Sequence, residues 1–440
     1  MSATCRPPAP VPPSRRRVLA SLGALGALGL GAATAGCAAD RAAADDTVTL
    51  DFQWWGSDDR NLATTKALRL FERRHPKIKV AVSFTGYDAY FQRLATQVAA
   101  GGGPDVFQMD YYQMRSYADY GLLADLGGPE FSALSLDRVP DAYVNANRLG
   151  GTLYAVPTGL VSQALFVDPT LWRKAGVGLP KKGWTWDDLL NDVGPALKKA
   201  VPGRSPLTDF GGYSECFDVW LAQRGKSLYK ADTSLGFTTA DLAGFWELTS
   251  RLRDKGIFTP PHITASYDGS TESSPLVRKL STAEFKLTST VTPYFEAYGE
   301  VAAVPFPTVS PGAPLGLTAG AGMMCVQQRS AHKREAALLL DFLLNDPEAG
   351  RILGVVRGLP PNRPNLDRLA PGFSKGDRMV YEYVTAFEKD FARSPLPPPG
   401  SDEDKLEFES VYQDVIFGKQ SVRAAAAHMT EKYKTTVPQG

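Results

Sequence analysis

Histidine and cysteine are both scarce: the 440 residues hold four of each. His75, His262, His332 and His428 are scattered, and no His/Cys spacing suits zinc, so neither a metal nor a cofactor is expected. Charge of one sign is missing too. Lys and Arg number 48 against 47 Asp and Glu, which leaves no basic footprint for nucleic acid. There is no internal repeat, and only one long apolar run. Familiar catalytic signatures fail on single residues. Gly225-Lys226-Ser227 ends like a phosphate loop, but the required earlier glycine is Trp220. Gly320-Ala321-Gly322 opens a dinucleotide pattern whose third glycine is Cys325. Gly212-Tyr213-Ser214-Glu215 leads to Cys216, so it is no nucleophile elbow. These absences weaken dehydrogenase, kinase and hydrolase readings.

The one apolar run lies near the N-terminus. Ser14-Arg15-Arg16-Arg17 precedes an uncharged stretch from Val18 to Gly36, which ends in Thr34-Ala35-Gly36-Cys37. The run approaches the ~20 residues a membrane span needs, but it is rich in Gly and Ala and stops at small residues. It resembles a bacterial lipoprotein signal peptide, which implies acylation of Cys37 after cleavage. The arginines resemble a twin-arginine export signal, with a general secretion signal as the alternative. Residues 1–37 are thus expected to be a leader and 38–46 a flexible tether. The leader holds four arginines and no acid, so the mature chain is slightly acidic. Cys216 and Cys325 remain, either as a disulfide or as two buried thiols.

A chain this long normally forms two compact units. Its opening alternates strands and helices. Val48, Leu50 and Phe52 predict a strand, and Ala63, Ala67, Leu70 and Phe71 share one helix face after an Asp58 or Asp59 cap. Ile78 to Phe84 alternates again. A helix capped by Asp88 carries Phe91, Leu94 and Val98 inward, and residues 105–110 read as a third strand. This order predicts an α/β fold with a largely parallel sheet. Thr185 and Asp188 are spaced as a capping box.

Ligands in open α/β sheets sit beyond the carboxyl ends of the strands. Three sets of residues fall there: Trp55, Ser57 and Asp58 after the first strand, Tyr87 after the second, and Gln108, Asp110 and Tyr111 at the third. Indole faces suit the C–H faces of a pyranose, and carboxylates accept strong bonds from its hydroxyls. Each residue also has a structural role open to it. Trp54 shares parity with Val48, Leu50 and Phe52 and is read as core, whereas Trp55 has the opposite parity. Asp58 caps a helix, binds a ligand, or does both. Arg60 either meets a ligand or pairs with an acid. Trp220 either stacks on a ligand or belongs to the core, and Trp246 is read as core.

The residues also resemble a known family. Trp54-Trp55-Gly56-Ser57-Asp58-Asp59-Arg60, Gly103-Pro104-Asp105-Val106, Tyr154-Ala155-Val156-Pro157-Thr158-Gly159, Trp184-Thr185-Trp186-Asp187-Asp188-Leu189 and Arg357-Gly358-Leu359-Pro360-Pro361-Asn362 occur in an order similar to family 1 extracellular sugar-binding proteins of ABC importers. The resemblance implies a two-lobed clamp, each lobe a mainly parallel sheet flanked by helices. Lobe one would be 47–157 with 319–352, and lobe two 158–318 with 353–440, hinged near Pro157-Thr158 and Leu317-Thr318. Thr158 and Arg357 join the expected ligand contacts on this basis. The implied partners are a sugar or short oligosaccharide and the permease subunits of an ABC transporter. The implied protein is a monomer without enzymatic activity, held outside the membrane by its lipid alone. The alternatives are a secreted glycan-degrading enzyme, or the same clamp binding a solute other than a sugar. A glycosidase would need two facing acids ~5–9.5 Å apart.

Overall fold

Val48, Leu50 and Phe52 do lie on a strand, β1 (Val48–Trp55). A computed structural model describes residues 47–318, 320–391 and 395–437 of the chain. The leader, Cys37 and the tether lie outside the described residues. After β1 come α1 (Asp58–Arg74), β2 (Ile78–Thr85), α2 (Tyr87–Ala99), β3 (Val106–Met109) and α3 (Tyr111–Asp119). Strand β1 runs parallel to both β2 and β3, as the alternation predicts. Two helix starts differ from expectation. Ser57, not Asp58, precedes α1, and Asp58 and Asp59 occupy its first turn, where the helix dipole favours carboxylates. Gly86 precedes α2, so Asp88 already lies inside the helix.

The chain then continues through β4 (Val156–Val161), β5 (Gln163–Val167), α4 (Ser214–Ala222), α5 (Thr239–Asp254), β6 (Ala283–Leu287), α6 (Val291–Tyr298), β7 (Ala302–Val304) and β8 (Gly320–Val326). It closes with α7 (Lys333–Asn345), α8 (Pro347–Leu353), α9 (Lys375–Phe387), α10 (Ser401–Ile416) and α11 (Val422–Thr436). Two sheets result. The first has the order β2-β1-β3-β8-β4, with β8 antiparallel to both neighbours. The second is β6-β5-β7, and every pairing in it is antiparallel.

The expectation of a mainly parallel sheet in each half therefore holds for the β2-β1-β3 part of the first sheet and fails in the second. Strands β6 and β7 do run the same way, with α6 as their crossover. However, β5 lies between them in the opposite sense, so no parallel pair forms. The chain changes sheet at Ser162, the one residue between β4 and β5 and beyond the expected crossing at Pro157-Thr158. The segment after α8 crosses beside it, and the Leu160 amide donates to the Leu359 carbonyl at 2.7 Å. Gly159 permits this approach, because a Cβ there would lie 1.7 Å from the Arg357 carbonyl oxygen.

One face of β1 buries Leu50, Phe52 and Trp54 completely, in one cluster with Leu68 and Phe71 of α1 and Ala336 and Leu340 of α7. Each such side chain contributes roughly 1.5–3 kcal/mol through burial. This core runs on through the crossing segments into the second sheet. The other face of the first sheet carries a separate cluster that includes Tyr90, Leu94, Phe107, Met109 and Cys325. Cys216 lies in the larger cluster, so the two thiols are free and buried apart, each with its pKa pushed up by burial. The Thr185–Asp188 capping box forms as predicted, and Trp246 is fully buried.

Candidate functional site

Parallel pairing brings three strand ends side by side. Trp55 ends β1 opposite Thr85 of β2, and α2 begins two residues after Thr85. That places Tyr87 edge-on to the Trp55 ring at 5.4 Å, with Tyr90 at 5.2 Å and Phe91 at 5.4 Å completing an aromatic ledge. Period two decides which tryptophan takes part. Trp54 points to the opposite face, fully buried, with its indole N–H donating to Asn61 Oδ1 at 2.9 Å. Trp55 is half-buried and Tyr87 is 45 % exposed. Ser57 and Asp58 are exposed just beyond Trp55.

At the third strand end, Asp110 caps α3 and its Oδ1 accepts from the Tyr112 amide at 2.8 Å. The Tyr111 hydroxyl donates to the Pro395 carbonyl at 2.6 Å. The Tyr90 hydroxyl donates to the Gln108 carbonyl at 2.6 Å, tying α2 to β3 beneath the ledge. Of the set expected at the three strand ends, Trp55, Ser57, Asp58, Tyr87, Asp110 and Tyr111 lie along one edge of the first sheet.

Five expected contacts have other positions. Gln108 is buried, and its Oε1 accepts from Arg357 Nη1 at 3.0 Å. Arg357 is buried as well, with Nη2 donating to Thr64 Oγ1 at 2.9 Å. Burial and the nearby Arg60 push the Arg357 guanidinium down to about 9. Among the described residues, Arg60 meets no acid. Its Nε donates to the Val356 carbonyl at 2.9 Å and its Nη1 to the Trp55 carbonyl at 3.1 Å, and burial lowers its pKa. Both arginines fasten the crossing segment to α1 and β3, a task that isolated backbone carbonyls at a crossing require. Trp220 is core. It lies 6 % exposed among Phe217 and Phe245, and the Arg224 guanidinium sits 3.4 Å above its ring. Thr158 is half-buried at the crossing, and its buried hydroxyl has no hydrogen-bond partner among the described residues. It borders an apolar cavity of about 40 Å³ shared with Met324, Leu340 and Pro360, far too small for a sugar ring.

Residues outside the expected set face the same edge. Lys405 of α10 pairs with Glu215 of α4 at 2.5 Å, and its ammonium lies 5.5 Å from the ring centre of Tyr112. Glu215, then Asp110 and Glu409, raise the Lys405 pKa, while burial opposes them. Burial and the neighbouring Glu215 raise the Glu409 carboxyl, and Lys405 opposes. Burial, Glu215 and Tyr111 push the Tyr112 phenol well up. Glu215 directly follows Gly212-Tyr213-Ser214, a run that reads as a failed catalytic motif. Lys405 and Glu409 carry no local signal, because only the tertiary fold brings α10 to α3. Among the described residues, no group of three or more His, Cys, Asp or Glu could hold a metal ion.

The fold is shared with known proteins. Residues 56–350 match the model of bacterial extracellular solute-binding proteins. The chain belongs to that family. It is a family of extracellular solute-binding proteins. An uncharacterised lipoprotein of Streptomyces antibioticus is 28 % identical over 323 residues, 70 % of this chain and 69 % of that protein. A family 1 extracellular solute-binding protein from Alicyclobacillus acidocaldarius is 27 % identical with a TM-score of 0.74, covering 89 % of this chain and 99 % of that one. An oligogalacturonide-binding protein from Yersinia enterocolitica shares the fold at 22 % identity and TM-score 0.75, covering 89 % of this chain and all of that one. Among the described residues of this solute-binding protein, no helix is long and apolar enough to cross a membrane.

Proposed function

We propose that this solute-binding protein captures a sugar or short oligosaccharide and delivers it to the permease of an ABC transporter. The observation that carries this reading is the partly exposed Trp55–Tyr87 ledge beside Asp58 and Asp110, at the carboxyl ends of three adjacent strands. An aromatic face covers the apolar side of a pyranose, and carboxylates accept from its hydroxyls. A fold relative that binds oligogalacturonides lends support.

The two sheets mark two lobes that close on the ligand about the crossing segments near Ser162 and Leu359. Capture and release involve no covalent step. A micromolar affinity would correspond to about −8 kcal/mol. The protein works as a monomer, and Cys37, acylated after leader cleavage, holds it at the outer face of the membrane. Mass spectrometry of the membrane-extracted protein tests that point: a diacyl mass on an N-terminal Cys37 supports it, and an intact leader refutes it.

A thermal-shift screen against glycans, peptides and polyamines tests the ligand class. A rise in melting temperature with a glycan alone supports the sugar reading. A rise with a peptide or polyamine alone replaces it. Release of reducing ends from a polysaccharide would instead make the protein a glycan-degrading enzyme.

A further inference from the structure

The smaller core cluster contains one residue from the second sheet's half of the chain. Tyr90, Leu94, Phe107, Met109, Met114, Tyr117 and Met323 all belong to the first sheet and its helices. Leu396 joins them and is only 4 % exposed. It comes from the run Pro395-Leu396-Pro397-Pro398-Pro399-Gly400, which links α9 to α10. Helix α9 packs on α6 and β7, and α10 packs on α11 and α4 of the second sheet's half while also touching α3 of the first. The middle of the run is therefore planted in the opposite half, on the same edge as the strand-end site.

The composition suits a strap. Prolines lock φ and restrict the unbound conformations, so little entropy is lost when the strap docks. Prolines also have no N–H, so a proline-rich run can be held chiefly by its carbonyls and its one apolar side chain. The contacts are of that kind. The Tyr111 hydroxyl donates to the Pro395 carbonyl at 2.6 Å, and Arg115 Nε donates to the Leu396 carbonyl at 3.2 Å. Arg115 reaches the second half again through Nη2, which donates to the Ala231 carbonyl at 3.3 Å. Opening the lobes would pull Leu396 out of its cluster and break these bonds together.

We propose that the 395–400 strap is a latch, and that Leu396 is a positioning residue that holds the closed form without touching the ligand. The proposal rests on the reading that the lobes open and close. Its ligand is the same glycan; what the latch sets is how tightly the closed lobes retain it.

The test is a distance between the lobes in the full-length protein without ligand. Spin labels go on Lys66→Cys of α1 and Glu247→Cys of α5, both exposed positions, with Cys5→Ser and Cys37→Ser removing the two leader thiols while Cys216 and Cys325 stay buried. Leu396→Ser should shift the distance distribution to longer values than the wild type. Arg115→Met removes the carbonyl bonds without hollowing the core, and it should shift the distribution in the same direction by less. It also serves as the deciding variant if Leu396→Ser fails to fold. For any glycan that stabilises the wild type, both variants should bind at least fivefold more weakly. Distributions that superimpose on the wild type overturn the latch. The distance needs no ligand, so a glycan screen that fails on its own withdraws the sugar and leaves the latch to be judged separately.

Discussion

The two sheets treat their polar side chains in opposite ways. In the second sheet, Glu284 of β6 is fully buried and surrounded by donors. Its Oε2 accepts from Ser274 Oγ at 2.7 Å, the Leu276 amide at 3.1 Å and Thr208 Oγ1 at 3.3 Å, and its Oε1 accepts from the Tyr294 hydroxyl at 2.6 Å. Lys286 Nζ lies 3.2 Å from the same carboxylate and over the rings of Tyr267 and Tyr294. Burial lowers the Lys286 pKa, and Glu284 counteracts it. In the first sheet, the strand ends leave Ser57, Asp58 and Tyr87 exposed to solvent. A buried carboxylate needs every lone pair satisfied, whereas a binding edge must keep groups available. One half thus uses its polar residues to hold itself together, and the other presents them.

The comparison would break most visibly at Glu284. Glu284→Ala leaves Lys286 buried without its ion partner and should cost about 3–5 kcal/mol in denaturant unfolding. A loss below about 1 kcal/mol would show that the network is not structural. The adjacent tryptophans sharpen the contrast within a single strand. Trp54→Ala removes a fully buried indole and should cost about 3–5 kcal/mol. Trp55→Ala should cost the ligand-free protein much less, yet weaken glycan binding more than tenfold, about 1.4 kcal/mol. Equal losses of stability would put both indoles in the core and dissolve the ledge.

The parity argument that separates these two residues was available from Val48, Leu50 and Phe52 alone, because strand period is fixed by the backbone. The same holds for α1, α2 and the parallel centre of the first sheet. The sense of β5 was not legible, since strand direction depends on which partner a strand finds, not on its own composition. Gln108, Arg60 and Arg357 sit in the right neighbourhood, but a sequence does not reveal that the crossing segment covers them. Lys405 and Leu396 are separated from α3 by nearly three hundred residues, and no local pattern marks a contact at that range.

Smaller effects test the electrostatics of the edge. Asp58 lies in the first turn of α1, so Asp58→Asn should cost about 0.3–1 kcal/mol of stability at low salt. Its effect on glycan affinity should exceed that if the carboxylate also meets the ligand. Glu409 is subtler. Its folded pKa is raised by burial and by Glu215, so the folded protein holds that proton more tightly than the unfolded chain. Its contribution to stability is therefore present below pH 4.5 and declines as pH rises through the folded pKa. Glu409→Gln should flatten that decline in a melting-temperature profile across pH. A steeper decline would mean that Lys405 outweighs burial.

The most direct measurement compares the glycan-induced melting shift of the wild type with those of Trp55→Ala and Trp54→Phe. The account predicts a clear shift in the wild type, nearly the same shift in Trp54→Phe, and little or none in Trp55→Ala. A shift of equal size in all three proteins would place the sugar away from the strand ends and contradict it.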